Sequence, residues 1–112
     1  MISTHRKGWA WRRKIEKWFG EAGFRTTTRG IGCAGDDILA VGNGGLRLSV
    51  EAKDHQTITL AAFVDQAVKQ AAMYPPEDQV LPVAIIHRKG RPDVDNAYVV
   101  MPGWAFIELV TR

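Results

Sequence analysis

The chain has a single cysteine, Cys33, in 112 residues. One thiol forms no intrachain disulfide and founds no cysteine-based zinc site. Long apolar runs are also lacking, and none approaches the ~20 residues of a membrane span. Arg6 and Lys7 near the N-terminus are not followed by an apolar stretch, so the start does not read as a secretory leader. These absences lead to the expectation of a cytoplasmic protein with no membrane partner. The length allows one domain, 1–112, and is too short for two. No repeat, linker or low-complexity tract is visible. The three histidines stand apart, and no catalytic triad assembles around Cys33.

Apolar content of 46% and charged content of 24% are ordinary for a globular protein. The net charge of +3 hides an asymmetry. Residues 1–30 carry eight Lys or Arg against Glu16 and Glu21, and the remainder carries ten acidic residues against seven basic ones. A basic segment beside an acidic cluster suits a polyanion gripped on one surface, with a metal held elsewhere.

The spacing of apolar residues predicts a helix over 6–22. Trp11, Ile15, Trp18, Phe19 and Ala22 make its apolar stripe, and Arg12, Arg13, Lys14 and Lys17 fall mostly outside it. Gly23 is its C-cap candidate. Strands are predicted over 24–29 and 37–41, and Gly42-Asn43-Gly44-Gly45 carries the Asn-Gly hairpin signal. Residues 46–53 alternate. Leu46, Leu48, Val50 and Ala52 face one way; Arg47, Ser49, Glu51 and Lys53 face the other, which reads as the polar face. A second helix runs from Thr57 or Thr59 to about Tyr74, with Leu60, Phe63, Val64, Ala67, Ala71 and Tyr74 on its apolar side, and Pro75-Pro76 ends it. Residues 80–87 and 97–101 read as strands. The segment holding Trp104, Phe106, Ile107 and Val110 is an amphipathic helix or, alternatively, a strand. The order is α-β-β-β-α-β-β with a possible final α. This implies an α/β fold, a mixed sheet flanked by helices.

Asp36 and Asp37 precede Glu51-Ala52-Lys53 across the predicted hairpin. Carboxylates and an amine on adjoining short strands can hold a divalent metal and an activated water, which phosphodiester hydrolysis requires. Which aspartate serves depends on the turn. A two-residue Asn43-Gly44 turn sets Asp36 opposite Glu51 and points Asp37 with Val50. A three-residue loop with a bulge reverses this.

The element order and the Asp-x(n)-Glu-x-Lys pattern resemble the PD-(D/E)XK nuclease superfamily. Within it, the chain is most similar to archaeal-type Holliday junction resolvases and their phage relatives. The resemblance spans most of the chain. It rests on Arg6-Lys7-Gly8 at the first helix, Asp37-Ile38-Leu39-Ala40, Asn43-Gly44, Val50-Glu51-Ala52-Lys53, and Trp104-Ala105-Phe106-Ile107-Glu108. Two positions depart from the pattern. Asp36 replaces the family's proline, and Arg12 stands where those resolvases usually carry a Glu.

The resemblance implies a restriction-endonuclease-like fold with an α-β-β-β-α-β core and a Mg²⁺-dependent DNA endonuclease, with Mn²⁺ as a substitute. It leaves 5′-phosphate and 3′-hydroxyl ends. Asp37 and Glu51 would be metal ligands, the Ala52 carbonyl a third and Asp36 a second ligand or support. Lys53 would serve the attacking water and the transition state, and Gln66 would hydrogen-bond Lys53 or that water. Gln70 and Tyr74 also spell a Gln-x-x-x-Tyr found in some exonuclease relatives. The partner implied is branched DNA, a four-way junction above all, bound by a homodimer. Arg6, Lys7, Arg12, Arg13 and Arg29 are candidate phosphate contacts, with Arg88, Lys89 and Arg91 as a second basic group. Trp9, Trp104, Phe106 and Ile107 are candidates for a dimer interface, and Trp9 alternatively for stacking on a base. A nuclease of other specificity (nicking, flap-cutting or exonucleolytic) and a non-catalytic DNA-binding module are the competing readings.

Overall fold

A computed structural model describes residues 4–28 and 35–112, with side chains from residue 8 onward. Helix α1 (Thr4–Glu21) is followed by strands β1 (Arg25–Thr28), β2 (Ile38–Val41) and β3 (Arg47–Lys53). Helix α2 (Leu60–Ala71) then leads to β4 (Leu81–Ile86), β5 (Tyr98–Val100) and α3 (Gly103–Thr111). The strands lie in one sheet in the order β1-β2-β3-β4-β5. β1, β2 and β3 run as antiparallel neighbours, β3 and β4 pair in parallel through the α2 crossover, and β5 returns antiparallel to β4. The mixed sheet flanked by helices is the expected architecture. The C-terminal segment resolves to the helical alternative.

The core follows from the two periodicities. Trp11, Ile15 and Phe19 recur along one side of α1 and are buried against Ile38, Ala40, Val50, Val83 and Ile85. Fully burying a side chain of this size contributes roughly 1.5–3 kcal/mol. The Trp11 indole N–H donates to the Ile85 carbonyl at 3.1 Å, so its polar atom is satisfied where it is buried. On the opposite face, Phe63 of α2 packs on Ala84 and Ile86. β4 is apolar along its whole length because it is covered on both sides. Leu60, counted on the apolar side of α2 from spacing, is 47% exposed, and Ala22 lies beyond the end of α1 and is exposed.

The β2–β3 hairpin settles the question of register. Val41 pairs with Arg47 and Ile38 with Val50, and the Gly42 N–H donates to the Leu46 carbonyl at 2.8 Å. Asn43, Gly44 and Gly45 therefore form a three-residue loop, not a two-residue turn. Gly44 and Gly45 have φ of 76° and 83°, which glycine adopts without strain. The Asp37 N–H donates to the Val50 carbonyl at 3.1 Å, although Val50 is the partner of Ile38. Two residues of one strand thus address one of the other, the pattern of a β-bulge. It lies at the point where the two aspartates leave the ladder.

Candidate active site

The bulge sends Asp36 and Asp37 to different partners. Asp36 is 2% exposed, and its Oδ2 accepts hydrogen bonds from Ser49 Oγ at 2.9 Å and from the Tyr74 hydroxyl at 2.7 Å. Tyr74 follows the end of α2, so Asp36 is fastened to the α2 side of the sheet. Asp37 Oδ2 accepts the Ala52 N–H at 2.8 Å, and Asp37 Oδ1 accepts Arg12 Nη2 at 2.9 Å. Asp37 is thereby held between α1 and the end of β3.

Glu51 lies between these groups and is 1% exposed. Burial pushes its carboxyl up from 4.5 to about 8, and the nearby Asp37 charge adds to the rise, with a smaller part from Asp36. Lys53 acts in the opposite direction, with Nζ 3.7 Å from Glu51 Oε2. Glu51 Oε1 is buried with no hydrogen-bond partner among the described residues. The alternating face of β3 that reads as polar is therefore not solvated. Helix α2 covers it, and Ser49 is fully buried.

Lys53 Nζ donates to Gln66 Oε1 at 2.5 Å and lies 5.4 Å from the centroid of the Phe63 ring. Gln66 and Phe63 both project from α2, the first residue of which follows the loop after Lys53. The crossover returns a helix over the strand end and fixes the ammonium beside Glu51. Gln70 Oε1, one turn on, is buried without a partner among the described residues.

The predicted site residues thus separate into groups. Asp37, Glu51, Lys53 and Gln66 form one connected set, and Ala52 contributes its backbone N–H to it. Asp36 adjoins this set but is turned to Ser49 and Tyr74. Arg12, expected on an exposed basic face, is instead 9% exposed and paired with Asp37. The apolar stripe does not identify it, because an arginine at the stripe's edge can reach the sheet only once α1 is docked. Arg13 is exposed, and so are Lys89 and Arg91, whereas Arg88 is half-buried with its guanidinium 4.8 Å from the Tyr98 ring. Lys89 and Gly90 line a cavity of about 160 Å³ with Asp54, His55, Gln56 and His87, so the basic turn lies beside the chain that leaves Lys53. Arg6 and Lys7 lie in α1, but their side chains are outside the described residues, as is Arg29.

Two residues singled out in the sequence for other reasons have contacts here that their spacing does not announce. Tyr74 is placed on Asp36 by the packing of α2. Trp9 places its ring 5.1 Å from the Arg12 guanidinium carbon, so its face is turned to an arginine of the same helix. His87 stacks on Trp11 at 4.5 Å and pairs with Asp54 through Nδ1 at 2.8 Å, a structural role.

Among the described residues, no three His, Cys, Asp or Glu side chains are gathered as a metal cluster. The donor set nevertheless suits a hard cation. Mg²⁺ commonly uses one or two carboxylates and completes its shell with water and phosphate oxygens. Asp37 and Glu51 supply two carboxylates, and the buried, unpartnered Glu51 Oε1 is the atom a cation would satisfy. No described helix is long and apolar enough to cross a membrane.

No family model and no curated protein matches the chain. Among solved structures, the chain is similar to Hjc of Archaeoglobus fulgidus, a Holliday junction resolvase from an archaeal hyperthermophile. The two are 26% identical with a TM-score of 0.54, over 72% of this chain and 64% of that one. The chain thus matches somewhat less than two thirds of that resolvase's length. The likeness supports the nuclease resemblance, and the shared architecture is the restriction-endonuclease-like fold: a mixed five-stranded sheet with helices on its faces.

Proposed function

We propose that the protein is a Mg²⁺-dependent, structure-specific DNA endonuclease, a resolvase of four-way junctions that works as a homodimer. One observation carries the reading: Asp37, Glu51 and Lys53 converge at the end of the β2–β3 hairpin, with Gln66 of α2 on the lysine. The likeness to an archaeal Holliday junction resolvase supports the substrate class.

Asp37 and Glu51 would hold the ion, which would supply Lewis acidity and make a water easier to deprotonate for attack on the phosphodiester. Lys53, fixed by Gln66 Oε1 and Glu51 Oε2, would orient that water and offset charge on the phosphate in the transition state. The Ala52 N–H holds Asp37 in place. Arg13, Lys89 and Arg91 are exposed and would contact the DNA backbone, and Arg6, Lys7 and Arg29 remain candidates for the same role. A four-way junction is two-fold symmetric, and one site cuts one strand, so a C₂ pair matches the substrate. Trp104, Phe106 and Ile107 on α3 are 53%, 52% and 57% exposed and supply apolar surface for such a pair.

A non-catalytic DNA-binding module is the second reading, favoured by the Arg12–Asp37 ion pair, which engages a catalytic carboxylate. Labelled four-way junction, flap, duplex and single strand, each incubated with Mg²⁺, separate the two. The proposal expects paired nicks in the junction and a dimeric complex in sedimentation. Cutting of flap or duplex equally well by a monomer would leave a nuclease of other specificity. No cleavage with intact binding would establish the module.

A further inference from the structure

Arg12 is the one charged side chain of α1 that the described structure buries. Its Nη2 stands 2.9 Å from Asp37 Oδ1, and its guanidinium carbon is 5.1 Å from the Trp9 ring. Asp37 is held at both oxygens, by Arg12 and by the Ala52 N–H, whereas Glu51 Oε1 has no partner among the described residues. We propose that Arg12 is a positioning residue that takes the place of a second cation, so that the site admits one divalent ion and not two. This rests on the metal-dependent reading above and specifies its stoichiometry.

The argument is one of space and charge. Two-metal sites set their ions roughly 3.5–4 Å apart and share carboxylate oxygens between them. Here the Oδ1 side of Asp37 is filled by a guanidinium, a planar cation whose Nη2 stands 2.9 Å away. A second divalent ion there would face that charge beside a half-buried carboxylate. The remaining seat lies towards the unpartnered Glu51 oxygen. The local charge agrees. Asp36, Asp37 and Glu51, once ionised, face Arg12 and Lys53, leaving a single net negative charge. One divalent ion and one substrate phosphate balance it, and two ions overshoot. The Trp9 ring faces the guanidinium at 5.1 Å, a cation–π contact that favours this position of Arg12.

The test is calorimetric titration of Mn²⁺ into the DNA-free wild type, Arg12→Gln and Arg12→Lys, alongside cleavage rates and thermal melts. The expected result is one Mn²⁺ per chain in the wild type and in Arg12→Lys, with affinities alike. In Arg12→Gln, loss of the fixed charge tightens the first Mn²⁺ by about tenfold while cleavage falls, because Asp37 is no longer held. Tighter metal with slower turnover is a combination that loss of a merely structural residue does not produce. Two Mn²⁺ in the wild type overturn the proposal without any variant. So does unchanged or weaker Mn²⁺ affinity in an Arg12→Gln protein that melts as the wild type does. Absence of Mn²⁺ binding to every form overturns the metal-dependent reading itself, and the two failures are thereby distinct.

Discussion

The two faces of β3 have the same spacing and opposite chemistry. Val50 and, in part, Leu48 and Ala52 are packed among α1 side chains. Ser49, Glu51 and Lys53 face α2 one residue out of step. Both faces are buried: Val50 and Ser49 are fully inaccessible and Glu51 nearly so. On the α1 face, burial releases water from apolar surface and stabilises the fold. On the α2 face, burial costs free energy. Ser49 answers that cost with Asp36 and Lys53 answers it with Gln66, but Glu51 Oε1 stays unpaired. One strand thus gathers stability on one side and holds a buried, incompletely paired carboxylate on the other. A buried acid with a raised pKa beside a fixed amine is an environment in which functional sites are over-represented.

Substitutions on the polar face test this contrast most sharply. Glu51→Ala and Asp37→Ala are expected to lower cleavage by roughly a thousandfold or more, the scale of removing a metal ligand and the charge it stabilises. Junction binding should persist, since removing acid from a phosphate site does not weaken attraction for a polyanion. Gel-shift and cleavage assays on the same preparation read both. Retained cleavage in Glu51→Ala would remove that residue from the site. Lys53→Ala follows, with a loss of about a hundredfold, as for one preorganised stabilising group. Ca²⁺ in place of Mg²⁺ should support binding and little cutting, and equal rates with the two ions would contradict the assignment.

The apolar face should respond differently. Ile15→Ala removes a fully buried side chain and is expected to cost about 2–5 kcal/mol by urea denaturation. Its Mg²⁺ dependence should match the wild type under conditions where the variant is folded. An altered Mg²⁺ requirement would mean that the two faces are not separable.

Glu51 also links stability to pH. Its carboxyl is near 4.5 in the unfolded chain and about 8 in the folded, metal-free protein. Between those values the folded state binds the extra proton, so Glu51's contribution to stability falls as pH rises from about 4.5 to 8 and then levels. Glu51→Gln should flatten that part of the profile, and added Mg²⁺ should do so in the wild type. A metal-free wild-type melting profile that runs parallel to that of Glu51→Gln through this window would contradict the burial of Glu51. The smallest effect expected is at the surface. Neutralising exposed Arg13 or Lys89 should weaken binding to all DNA forms alike and lower the salt slope by about one per lost phosphate contact. An unchanged slope would return that residue to a solvated face.

Much of this was legible in the chain because it is local. Period-three-and-four spacing in 6–22 marks α1, and strict alternation in 46–53 marks β3. Asn43-Gly44-Gly45 marks a reversal between the carboxylates. Pairing Asp37, Glu51 and Lys53 needed only the hairpin and the resemblance. Gln66 followed from the resemblance together with its place on the crossover helix. Other features depend on elements far apart in sequence. Alternation separates two faces of a strand but does not reveal that α2 will cover the polar one. The choice between a two- and a three-residue loop shifts the register by one, and only the glycine conformations and the bulge at Asp37 resolve it.

The sequence by itself determined the order of elements, the mixed character of the sheet and the identity of the charged residues at the hairpin. These rest on steric preferences and hydrophobic periodicity within a few residues of chain. Tertiary structure alone decided that Glu51 is buried and hard to ionise, that Asp36 belongs to Ser49 and Tyr74, and that Arg12 reaches Asp37 across 25 residues. Burial, charge coupling and the pairing of α1 with the sheet depend on distances in space, and no spacing along the chain encodes them.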